Sequence, residues 1–147
     1  MSESKFREAI SQLRSNVAGT KAVVLIGPDG VMLDHLQVDP AFDVETFASE
    51  YATLLRIARM TSEDTGAGDL SEHVSISERS ITISRCFASD CYLVLVSDIQ
   101  DQIGRARYEL KRAAWYLEQT GRAVRGRAGN LRVAGDYKYP DRRECHR

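Results

Sequence analysis

The sequence predicts an α+β fold: a five-stranded antiparallel sheet with helices on both faces, in the order α-β-β-α-β-β-β-α. Three observations predict it. Three stretches repeat apolar residues with the 3.6-residue period of a helix, five short runs rich in β-branched residues lie between them, and the strand-to-strand joins are of hairpin length. Strands joined so tightly run antiparallel, which argues against a Rossmann-type start.

The first helix is expected over residues 4–18, where Phe6, Ile10, Leu13 and Val17 form one stripe. Ser4 is its expected N-cap, and Gly19 stands where such a helix stops. Residues 21–27 (KAVVLIG) form an apolar run of strand length, suited to burial on both faces. Pro28-Asp29-Gly30 then makes a tight turn, since proline fixes φ and glycine accepts a positive one. The second strand of the hairpin is expected over residues 31–38.

Asp43 is placed to cap a middle helix running to about residue 62, with Glu45 in its first turn. Val44, Phe47, Ala48, Tyr51, Leu54, Leu55 and Ala58 project onto an apolar arc of roughly 120°, wider than a single seam. So wide an arc serves either two partners, the sheet and something else, or one partner in which the helix sits deep. Residues 65–69 (TGAGD) break the chain. Strands follow over 70–78, 80–87 and 91–98, the last (CYLVLVSD) apolar enough to be central. A final helix is expected from about Ile99 to Gln119, with Ile103, Ala106, Leu110, Ala113 and Leu117 on its stripe and Gly121 as its stop. Gly104, within it, would permit close packing on a neighbouring element.

Composition confines the function. Among the 147 residues, 43% are hydrophobic and 28% charged, the range of an ordinary globular domain. The formal net charge of −1 is unevenly distributed: residues 1–118 carry −6 and residues 119–147 carry +5. We therefore expect one domain over 1–120 and a mobile basic tail over 121–147. A solvated tail is the preferred role, with contact to nucleic acid, anionic lipid or the acidic body as alternatives. Nucleic acid is not the expected partner. The first residues carry no apolar run after their charges, and nothing reaches the length of a membrane span. With three cysteines in no metal-ligand spacing, a cytoplasmic protein with reduced thiols is expected.

Catalytic, cofactor and metal sites are not expected. No GxxxxGK[ST] loop occurs, and Gly66-Ala67-Gly68 lacks the rest of a dinucleotide fingerprint. Cys86 and Cys91 flank a short turn, where facing thiols could join, although reduced packing thiols suit the cytosol better. Cys145 and His146, with His35 and His73 scattered, give no metal quartet. Tyr108 and Trp115 lie on the last helix away from its main stripe. They are expected under the first helix, or else in an aromatic partner site.

Residues 22–31 (AVVLIGPDGV), 47–58 (FASEYATLLRIA), 92–96 (YLVLV) and 103–110 (IGRARYEL), in this order, resemble the roadblock / dynein light-chain family. Within it, the likeness is to bacterial stand-alone MglB-type regulators. It covers roughly residues 6–118, and no single motif is diagnostic. The resemblance implies a homodimer in which the middle helices pack together and the third strands pair across a two-fold, making one continuous sheet. It also implies a platform on the paired helices for a small Ras-like GTPase, whose GTP hydrolysis or localisation is modulated without a catalytic site in the regulator. The dimer interface would take Tyr51, Leu54 and Ala58 from the helix and Val74, Ser75 and Ile76 from the third strand. Glu50, Thr53, Arg56, Ile57 and Met60 would meet the GTPase. An arginine supplied in trans by Arg56 or Arg59 can assist GTP hydrolysis, but the resemblance points to reorganisation of the GTPase's own residues. The alternative function is a structural scaffold or self-assembly module with no GTPase partner. A small-molecule sensor would need room that so dense an aliphatic core does not offer.

Overall fold

The computed structural model describes residues 3–88, 90–98 and 103–125. Three helices and five strands alternate as α1 (Glu3–Asn16), β1 (Thr20–Ile26), β2 (Met32–Gln37), α2 (Val44–Asp64), β3 (Glu72–Ile76), β4 (Ile81–Phe87), β5 (Cys91–Ser97) and α3 (Ile103–Arg125). The strands form one antiparallel sheet in the order β2-β1-β5-β4-β3. β5 is therefore central, as its continuous apolar run predicts, and β2 and β3 are the edges.

Local signals act largely where expected. Gly30 takes φ +83° in the β1–β2 turn, whose Gly30 N–H donates to the Gly27 carbonyl at 3.0 Å. Asp43 caps α2, its carboxylate accepting from Thr46 N at 3.1 Å and from the Thr46 hydroxyl at 2.6 Å. Two helix limits and the role of one glycine differ. α1 is already helical at Glu3, ahead of the expected cap at Ser4. α3 passes Gly121 and continues to Arg125, because one glycine costs a helix only about 1 kcal/mol. A Cβ on Gly104 would meet nothing within 4 Å, so this glycine serves no close approach. The expected start at Ile99 and the tail beyond 125 lie outside the described residues.

The two-residue period of the strands divides the core. On one face α1 and α3 pack together over Val23, Leu25, Ile81, Ile83, Leu93 and Leu95. Phe6, Ile10 and Leu13 from α1 and Leu110, Ala113 and Leu117 from α3 are buried there. On the other face α2 lies alone, with Val44, Ala48, Tyr51 and Leu55 over Ala22, Val24, Ile26, Tyr92 and Val94. One helix about 10 Å wide covers only about two strands spaced 4.8 Å apart. α2 sits over β1 and β2. Beside it, β4 and β3 present the small polar side chains of Ser84, Thr82 and Ser75, together with His73.

Candidate interaction surface

The outer face of α2 is where apolar residues face solvent. Leu54 is 44% exposed, Ile57 57% and Met60 52%. Spaced three residues apart, they fan across that face, with exposed Glu50, Thr53 and Arg56 among them. The five residues expected to meet a partner thus all lie exposed on one helix. Ala58, half-buried, lies beside Leu54 on the flank shared with Tyr51.

Tyr51 itself does not join that outer set. It is 7% exposed, its ring stacks on Phe47, and its hydroxyl lies 3.1 Å from Nδ1 of His73 and 3.4 Å from the Ser84 hydroxyl. The expectation that Tyr51 leans toward a second protomer is corrected: the side chain faces its own sheet. Burial raises its phenol pKa above 10, the Ser84 hydrogen bond offsetting part of the effect. An aromatic at the margin of an apolar arc can turn either way. The deciding partners, His73 and Ser84, stand far along the chain.

Among the described residues, the edge strand β3 pairs only with β4. Its Val74 and Ile76, 37% and 64% exposed, point to the α1/α3 face in register with Ile83 and Ile81. Ser75, half-buried, points to the α2 face in register with Thr82. Glu72 begins the strand and holds it to the body through Arg85 at 3.4 Å and through the guanidinium of Arg107 on α3.

Toward the same end of the strands, Arg59 of α2 reaches Asp90 in the β4–β5 turn at 3.8 Å. Cys86 and Cys91 stand on opposite faces of this hairpin, Cys86 in register with Tyr92 and Cys91 with Phe87. They form no disulfide with each other, and the possibility of their facing one another is overturned by the register. Burial, with smaller contributions from Asp90 and Cys91, pushes the Cys86 thiol up to about 11. Between α2 and the β1–β2 turn lies an open cleft of about 340 Å³, which no sequence motif announces. On α3, Tyr108 and Trp115 are half-buried. Tyr116, next to Trp115, sets its hydroxyl on Glu8 of α1 at 3.1 Å. No cluster of metal-binding side chains and no helix long and apolar enough to span a membrane is found among the described residues.

The sequence matches no family model and no curated protein. Solved structures do match. MglB of Myxococcus xanthus superposes with a TM-score of 0.76 at 16% identity, over 84% of this chain and 99% of that one. A roadblock/LC7 domain from Streptomyces avermitilis gives 0.64 at 20% identity, over 75% of this chain and 92% of that one. MglC of Myxococcus xanthus gives 0.57 at 30% identity, over 79% of this chain and 98% of that one. The sandwich of one helix and two about a β2-β1-β5-β4-β3 sheet is the fold of MglB and of the roadblock/LC7 domain. The chain belongs to the roadblock/MglB-like family.

Proposed function

We propose that this protein is a homodimeric regulator or adaptor that binds a small Ras-like GTPase and modulates its GTP hydrolysis or its localisation. The observation that carries the proposal is the exposed Leu54, Ile57 and Met60 set on α2, beside the α2-side strip of β4 and β3, where Tyr51 covers Ser84 but Ser75 and Thr82 are only half-buried. A second copy of α2, brought in by pairing of the two β3 edges, would lie over that strip. Leu54 and Ala58 would then face their counterparts, with Val74, Ser75 and Ile76 at the strand seam. The contact would have to bury about 1,000 Å² or more to be stable. Ile57 and Met60, rimmed by Glu50, Thr53 and Arg56, would remain outward as an apolar patch with a polar border, the usual anatomy of a protein contact. The regulator contributes a surface, and the GTPase supplies the catalytic groups.

Sedimentation of the full chain, with pull-down by a Ras-like GTPase loaded with a GTP analogue, tests the proposal. A stable dimer that captures the GTPase, and loses it on Ile57→Asp or Met60→Asp, is the expected result. A well-folded single subunit at micromolar concentration would overturn the dimer. A dimer indifferent to every GTPase and to its nucleotide state would favour the scaffold. That second reading has its own support: the other sheet edge, β2, also has no further strand beside it among the described residues, and exposed Val31 and Leu33 lie at its start.

A further inference from the structure

The cleft between the β1–β2 turn and the outer side of α2 shares Thr53 and Arg56 with the border of the proposed GTPase patch, but its floor and its turn wall lie outside that patch. Its floor is apolar, formed by Ile26, Leu55 and Tyr92, and one wall is the turn from Gly27 to Gly30. The facing wall is α2, which contributes hydroxyls from Ser49 and Thr53 and the guanidinium groups of Arg56 and Arg59. The turn itself requires its glycines. A Cβ on Gly27 would lie 3.2 Å from Leu33 and Asp29, and Gly30 holds φ +83°, which a side chain would strain.

Charge in the cleft is unbalanced. Asp29 is the single acidic residue of the lining, against two arginines. Its Oδ1 is turned into its own loop, accepting from Val31 N at 3.2 Å. Arg59 is partly neutralised by Asp90 at 3.8 Å. Arg56 has no ion pair among the described residues. Beneath them the buried Tyr92 hydroxyl makes no hydrogen bond of full geometry, with Arg59 the nearby cation. A guanidinium left unpaired over an apolar floor, beside hydroxyl donors, is suited to an oxyanion carried on an apolar body. At about 340 Å³ the space falls at the small end of the range of ligand sites.

We propose that this cleft is a binding site for a small organic anion, a carboxylate or phosphate on a compact apolar or aromatic body. The anionic group sits between Arg56 and Arg59, with Thr53 donating to it. The body rests on Leu55 and the Tyr92 ring. The site needs no second protomer and no GTPase to bind; it shares Thr53 and Arg56 with the border of the proposed GTPase patch, and a titration of the chain alone tests it whether or not that reading holds.

Amide chemical-shift titration of the full chain with phenyl phosphate tests the site, with inorganic phosphate and benzyl alcohol as the group-only and body-only arms. Phenyl phosphate should give saturable shifts at residues 26–30 and 49–59. Inorganic phosphate should bind the same residues more weakly, and benzyl alcohol more weakly still. Arg56→Gln, an exposed position with no ion pair to lose, should weaken phenyl phosphate about tenfold or more, as loss of a charge-assisted contact does. Thr53→Phe, also exposed, should fill the space and abolish binding while the melting curve stays that of the parent. Absence of saturable shifts in the parent chain, equal affinity in Arg56→Gln, or shifts confined to other surfaces would each overturn the proposal.

Discussion

The hydroxyl of Tyr51 lies 3.1 Å from Nδ1 of His73, joining the middle helix to the edge strand. The same oxygen donates to the Ser84 hydroxyl at 3.4 Å, which in turn donates to the His73 carbonyl at 3.4 Å. The three groups close a small ring in the half-buried strip beside α2. Tyr51→Phe removes its centre and leaves buried Ser84 short of a partner. We expect a loss of about 1 kcal/mol, read as a lower urea midpoint with an unchanged slope. Tyr51→Asp, by contrast, buries an unpaired charge against the sheet and should unfold the protomer. Loss of a dimer in that variant would therefore say nothing about the interface.

Leu54→Asp separates folding from association. Leu54 is nearly half exposed in the single protomer, so a charge there remains solvated and should change protomer stability by no more than about 0.5 kcal/mol. Across a helix-to-helix seam the same change sets two carboxylates against one another in an apolar contact. Sedimentation should then report a folded species of half the mass, with unchanged far-ultraviolet circular dichroism. Retention of the dimer at low micromolar concentration would place the interface elsewhere.

Glu72 is the anchor that keeps the edge strand on the body, since it meets both Arg85 across the sheet and Arg107 on α3. Its side chain is mostly covered, which screens the pairs less than a surface bridge. Glu72→Gln should cost about 1 kcal/mol, and the effect should be local. Amide exchange should quicken in β3 while β1 and β5 keep their protection. Uniform acceleration across the sheet would show Glu72 to act on global stability instead.

What was legible in the sequence follows the range of the interactions concerned. The stripe Phe6, Ile10, Leu13 and Val17, the turn at Gly30 and the cap at Asp43 are each decided by residues within a turn or two of one another, and each stands where it was read. The exposure of Glu50, Thr53, Arg56, Ile57 and Met60 was legible for the same reason, because helical spacing alone assigns a face. The inward turn of Tyr51 was not, because its partners lie 22 and 33 residues away. Nor were the opposite faces of Cys86 and Cys91, which depend on a pairing register rather than on their distance along the chain. The cleft was hidden for a related reason: turn 27–30 and Arg56 share no motif, and only the packing of α2 on β1 and β2 brings them together.

The Asp43 cap gives a pH test with a definite sign. Hydrogen bonds from the Thr46 hydroxyl and then its N–H hold the carboxyl below its ordinary 3.8. A lowered native value means that the stabilisation is complete above the unfolded value and is lost as pH falls through the native one. Asp43→Asn keeps an acceptor at the cap and loses the titration. It should match the parent closely at neutral pH, while the parent alone loses this contribution below about pH 4. Asp43→Ala should lower the melting temperature at every pH above that point. Parallel acid profiles for parent and Asn variant would remove Asp43 from the acid response.

Cys86 should be a poor nucleophile, for reasons set by its burial under α2. The thiolate is the reactive form, and desolvation first, then the charges of Asp90 and Cys91, raise the thiol to about 11 against opposing pulls from Arg59 and Arg85. At pH 8 the thiolate fraction is then lower than that of a thiol at the ordinary value near 9 by a factor of roughly a hundred. Iodoacetamide followed by peptide mass spectrometry should leave Cys86 unmodified in the native protein at pH 8 and label it readily in denaturant. Because the native value is the higher one, stability on this account is complete below the unfolded value near 9 and declines as pH rises toward 11. Cys86→Ala should flatten that alkaline decline, leaving the contributions of Tyr51 and Tyr92, which burial shifts in the same direction. Rapid labelling of native Cys86 at pH 8 would mean that the hairpin carrying it opens from the body far more often than its packing against Tyr92 and Arg59 allows.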